Sequence, residues 1–186
     1  MRKETITKKI LKYLLIGGAV FIAASSPAFS YKLSKAFYRS LMKKKHFDGS
    51  RSEFNNAFYY LKRRGYLNFQ KRNHQVYISL SEEGKKRAGE YQIDDLKIKR
   101  YKKWDRKYRI AIFDIPNVAR FKRDIFRGKI KQLGFYQLQQ SVWVHAFDCW
   151  REINLLRDFL GLNKRELKII TGTIEDDGSL REFFKI

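Results

Sequence analysis

Apolar residues recur four apart at Ile6, Ile10 and Leu14, a spacing that stacks them on one face of a helix. Gly17-Gly18 interrupts the stripe, and Val20, Phe21 and Ile22 continue an apolar face beyond it. The pattern predicts the first helix of a folded domain. Two glycines inside a helix cost on the order of 1 kcal/mol each relative to alanine, which implies close approach of another helix. The same stretch has a competing layout. Arg2, Lys3, Lys8 and Lys9 precede an apolar run at 14–24, and Ser26-Pro27-Ala28-Phe29-Ser30 follows it, as in a secretory signal with a small-residue cleavage site. That run is far shorter than the ~20 residues of a spanning helix, so neither an anchor nor a membrane partner is expected.

Residues 28–45 place Leu33, Phe37, Leu41 and Met42 between Lys32, Lys35, Arg39 and Lys43, the pattern of an amphipathic helix with a cationic side. His46 to Ser50 supply turn chemistry, and Ser50 or Ser52 can cap the next helix. This third helix is predicted over 51–64 and closed by Gly65. Phe54, Ala57, Phe58 and Leu61 would face a core. Arg51, Ser52, Asn55, Asn56, Tyr59, Lys62 and Arg63 would face outward. Arginine can fork to guanine, asparagine to adenine, and lysine can meet phosphate, so this face is a candidate duplex reader. Two strand-like runs follow, at 66–71 and 75–80, around the turn Lys71-Arg72-Asn73-His74. Three helices and a basic-tipped hairpin predict a winged helix-turn-helix domain over residues 1–92. His74 is expected to meet phosphate or solvent, and no metal is assigned to it.

Charge dominates residues 93–107, which predicts a basic linker or connecting helix. The pattern then changes. A buried strand is predicted at 108–115, a helix at 118–133 closed by Gly134, and short strands at 135–138 and 141–146. A second helix at 149–160 ends at Gly161, and a last strand follows at 167–174. The order is βαββαβ, so residues 108–186 are expected to form a ferredoxin-like domain and the whole chain to be α+β.

Composition sharpens this division. The chain is 44% hydrophobic and 16% aromatic with two prolines, so it buries cores and is no disordered tail. Of its formal charge of +22, most lies early. Residues 1–92 carry 20 Lys and Arg against 6 Asp and Glu, residues 93–107 carry 7 against 3, and residues 108–186 carry 14 against 10. The first half seeks a polyanion, for which nucleic acid is the leading candidate and an anionic membrane surface the competitor. A single cysteine, Cys149, excludes an intrachain disulfide and a multi-cysteine metal site, and fits a reducing, cytoplasmic setting.

Three strings in the second half carry a family likeness: Phe113-Asp114-Ile115-Pro116, Leu133-Gly134-Phe135, and Leu138-Gln139-Gln140-Ser141-Val142-Trp143-Val144. They resemble the PaaX-like family of transcriptional repressors and the small CRISPR spacer-acquisition nuclease family, which share the ferredoxin-like fold. The likeness covers residues 104–186. Members of the nuclease family usually begin at the strand placed here at Tyr108, so the added winged-helix half favours the repressor side. The resemblance implies a homodimeric regulator of duplex DNA, with Ser141, Val142 and Trp143 as strand and pairing residues and no catalytic group. In the nuclease family, an aspartate ending the first strand is thought to hold a divalent ion beside its two-fold mate, and Asp114 matches it. That alternative implies Mg²⁺ or Mn²⁺ at Asp114 and hydrolysis of phosphodiesters; otherwise Asp114 would satisfy N–H groups of its own turn. Repressor-family members usually continue into a further C-terminal domain, whereas this sequence stops at Ile186, so no aryl-CoA effector is carried over.

Overall fold

The computed structural model describes residues 5–23, 29–43, 49–72 and 75–186. Among them the chain divides into two compact units, Met1–Asp94 and Asp95–Ile186.

The first unit begins with α1 (Ile6–Gly17), whose Ile10, Leu11 and Leu14 are fully buried. The helix does not continue as the apolar pattern predicts. Gly18, with φ at 72°, turns the chain, and Ala19–Ala23 forms strand β1. Glycine adopts that left-handed backbone without steric cost, and the β-branched Val20 and Ile22 that follow favour an extended chain. Residues 24–28, holding most of the signal-like string, lie outside the described residues, and no described helix is long and apolar enough to cross a membrane.

Helix α2 (Phe29–Lys43) buries Leu33, Phe37 and Leu41. Helix α3 (Arg51–Arg63) buries Phe54, Ala57, Phe58 and Leu61, the four positions its spacing selects. Their rings interlock: Phe58 lies 6.0 Å from Phe37, 6.1 Å from Phe54 and 6.1 Å from Phe69. Phe69 belongs to β2 (Leu67–Arg72), which pairs antiparallel with β3 (Gln75–Leu80). β1 pairs with the other edge of β3, giving a three-stranded sheet in the order β1-β3-β2. Helices α1, α2 and α3 with this sheet make a winged-helix arrangement.

Helix α4 (Glu82–Asp94) closes the unit. Ser81 ties it to the end of α3: its hydroxyl donates to the Gly65 carbonyl at 2.6 Å and accepts from the Gly84 amide at 3.0 Å. Gly84 itself is packed against Tyr66, whose carbonyl oxygen a Cβ would overlap. Residues 93 and 94 belong to this helix, with Ile93 buried, and residues 96–107 form no helix, so of the two alternatives for that stretch a connecting helix is absent.

In the second unit, β4 (Tyr108–Phe113) is followed by a 3₁₀ turn (Asn117–Ala119), α5 (Arg120–Gln132), β5 (Tyr136–Gln139) and β6 (Val142–His145). Then come α6 (Trp150–Leu160), β7 (Leu167–Gly172) and α7 (Gly178–Phe184). The sheet order is β5-β6-β4-β7, antiparallel throughout. This is the ferredoxin-like βαββαβ arrangement, with α7 added. Phe113 of β4 meets Phe126 of α5 at 5.0 Å on one face. On the other face Tyr108 and Val144 pack with Leu180 and Phe184 of α7.

The charged stretch before β4 is partly docked on this unit. Ile98 and Trp104 pack against the Tyr108 cluster, and the Trp104 indole donates to the Ala146 carbonyl at 2.9 Å. The guanidinium of Arg109, 9% exposed, meets the Asp105 carboxylate with Nη1–Oδ1 at 2.9 Å and Nη2–Oδ2 at 2.6 Å. That partner holds the Asp105 carboxyl below the usual carboxylate range. Asp105 and the Lys107 backbone are thus tied to Arg109 of the sheet by an ion pair and main-chain hydrogen bonds, which the string of cations alone does not reveal.

Candidate nucleic-acid interface

The outward face of α3 is built from its N-terminus. Ser50 accepts from the Glu53 amide at 3.2 Å while Glu53 returns its carboxylate to the Ser50 amide at 2.8 Å, a reciprocal capping box. Of the two serines able to cap, Ser50 does so, which leaves Ser52 exposed in the first turn. The preceding turn is held by the Tyr38 hydroxyl, which donates to the Gly49 carbonyl at 3.2 Å. Where α3 begins is therefore fixed from both sides.

Arg51, Ser52, Asn56, Tyr59, Lys62 and Arg63 are all exposed on α3. Asn55 is not on that face in the same sense. It is partly buried, and its Oδ1 is enclosed with no hydrogen-bond partner. An asparagine forked to adenine must present both its oxygen and its nitrogen, so Asn56 is better placed than Asn55. Lys62 leans toward the hairpin, with Nζ 5.6 Å from the Phe69 ring centre, a contact worth about 0.5–1 kcal/mol at an exposed site. Helix and wing are thereby coupled at their surface as well as in the core.

On the hairpin, Lys71 is exposed on β2, and the backbone of Arg72 pairs with Gln75. Asn73 and His74, expected at the wing tip, lie outside the described residues. The three-stranded sheet was missed by sequence reasoning, although Gly17-Gly18 before a β-branched run was the signal for β1.

In the second unit, Trp143 departs from expectation. It is 5% exposed and opposite Ala111, on the sheet face that carries Phe113 toward α5, so it fills its own core and offers a partner almost nothing. Ser141 and Val142 are half-buried. Val142 lies on the opposite face, across from Ile112, and there Ile112 (36%) and Ile170 (48%) are exposed beyond the part that α7 covers. A two-residue sheet period, unreadable without the register, separates Trp143 from Val142.

Asp114 is exposed just past β4, its amide bonded to the Glu166 carbonyl at 2.9 Å. Among the described residues its carboxylate is not seen to accept the turn N–H groups that its sequence context suggested, and no cluster of three or more His, Cys, Asp or Glu could hold a metal ion. Two other ionisable residues of this unit, Cys149 and His145, are core: burial pushes the Cys149 thiol up to about 12 and holds His145 down at about 4.

A search among curated proteins returned no match to the chain. A family comparison did: residues 101–183 match the family described as the PaaX protein central Cas2-like domain. The matched residues span β4 to most of α7 and the docked stretch before them, and the match supports a PaaX-like assignment for this part of the chain.

Proposed function

We propose that this protein is a transcriptional regulator, acting as a repressor, that binds duplex DNA as a homodimer in the cytoplasm, without a cofactor. The observation that carries the reading is the exposed row on α3, where Arg51, Ser52, Asn56, Tyr59, Lys62 and Arg63 stand beside a hairpin bearing Lys71 and Arg72. A helix of this kind fits the major groove, and the hairpin fits the neighbouring backbone. Pairing through the open sheet strip around Ser141 and Val142 would bury Ile112 and Ile170 against a second copy. Two-fold symmetry then requires a palindromic site with half-sites about 34–36 Å apart or a multiple of it.

Selection of bound duplexes from a random pool tests this. A palindrome is the expected outcome, and recovery of only sequence-indifferent DNA would overturn it. Arg51→Ala and Asn56→Ala should relax base preference at single positions, while Lys71→Ala should weaken all sequences alike and lower the salt slope by about 1. The competing nuclease reading rests on the exposed Asp114. Incubation with DNA or RNA and Mg²⁺ or Mn²⁺ separates the two, since cleavage abolished by Asp114→Ala would replace the regulator reading.

A further inference from the structure

The cations of the second unit are not spread over it. Of the 14 Lys and Arg in residues 108–186, six lie on α5: Arg120, Lys122, Arg123, Arg127, Lys129 and Lys131, against the single carboxylate of Asp124. Without that helix the same stretch holds eight cations and nine carboxylates. From β4 onward, all of the excess positive charge is therefore on α5.

Four of the six form one line. Arg120, Arg123, Arg127 and Lys131 are spaced by three, four and four residues, which stacks them along one side of the helix over ~16 Å. The two middle guanidiniums are braced. Arg123 Nη1 donates to Asn117 Oδ1 at 3.0 Å, and Arg127 Nη2 donates to the Gln140 carbonyl at 3.1 Å while its guanidinium lies 5.6 Å from the Phe113 ring centre. Each is held in place and remains partly exposed. At the ends, Lys131 is exposed, and the Arg120 side chain is 79% exposed, with only a 3.7 Å approach to Asp124. An exposed ion pair of that length contributes little, so Arg120 keeps its charge for another partner. Val118 and Phe121 are exposed near the start of the row but do not interrupt it, because successive helical residues point about 100° apart.

We propose that this row is a second phosphate-contacting surface, which binds the backbone of duplex DNA. The inference rests on the duplex-binding reading above. Three guanidiniums and one ammonium in a line, the middle two braced and the single carboxylate, Asp124, only loosely approached, fit a regular row of phosphates, each contact releasing condensed counterions. The second unit is then a backbone clamp as well as a pairing module.

Salt titration of duplex binding by the full-length protein tests it. The double variant Arg120→Gln/Lys131→Gln changes only the unbraced ends and should lower the slope of log K against log salt by about 1.8, equally for all sequences. The charge-preserving pair Arg120→Lys/Lys131→Arg should keep the parental slope. A double variant with the parental slope, in a protein whose binding Lys71→Ala does weaken, overturns the proposal and leaves the regulator reading standing. Absence of duplex binding by the parent protein overturns both. Loss of binding to anionic phospholipid vesicles with an unchanged DNA slope overturns it in favour of a membrane surface.

Discussion

The two units handle positive charge and apolar surface in opposite ways. The first spreads its cations over helices and hairpin around an aromatic core, and exposes a polar and cationic row on α3. The second gathers its excess charge in the stretch before β4 and on one helix, and leaves an apolar strip open on its sheet. Net charge alone merges these patterns into a single number. Where the charge stands, and whether it is braced, distinguishes the exposed polar row on α3 from the row held in line on α5.

That contrast can be broken most strongly at the first core. Phe58→Ala removes the ring that meets Phe37, Phe54 and Phe69, and should cost about 3–5 kcal/mol in the first unit. Denaturant unfolding of the full chain should show the first unit melting early and the second unmoved; a common shift of both would mean that the units do not fold separately.

The next effect belongs to the second unit. Burial holds His145 neutral, with its pKa down at about 4 against 6.5 when free, so the unfolded chain takes up a proton at higher pH than the folded one. The resulting stability is fully present above about pH 6.5 and falls as pH drops toward 4, by up to about 3 kcal/mol. Melts of the full chain at a series of pH values should place this loss in the second unit, and His145→Phe should flatten it.

The smallest effect sharpens the reading of α3. Ser50→Ala removes the capping box and should cost about 1 kcal/mol of first-unit stability, with a matching loss of duplex affinity as the first turn frays. Unchanged affinity would show that Arg51 and Ser52 are not used in contact.

Much of this was legible from spacing. Phe54, Ala57, Phe58 and Leu61 announce the buried side of α3 because a helix repeats every 3.6 residues, and the βαββαβ order follows from runs bounded by Gly134 and Gly161. Val20 to Ile22 did not read as a strand, because a short apolar run looks the same in a helix and in a sheet until its partner, β3, is known. Trp143 was misjudged for a related reason: adjacent residues on a strand face opposite ways, and only the register with Ala111 shows which way is inward. The row on α5 was hidden by counting charge over the whole second half.

The sequence by itself determined the order of most elements, the strongly basic first half and the likeness in the second, because periodicity, composition and local strings are properties of neighbours along the chain. Tertiary structure decided the rest. It made β1 a third strand, enclosed the Asn55 oxygen, turned Trp143 into core, docked Trp104 and Arg109, and held Arg123 and Arg127 in line on α5. Each of these depends on a partner distant in sequence or on a sheet register, and a surface becomes a site only when such partners fix which side chains remain outside.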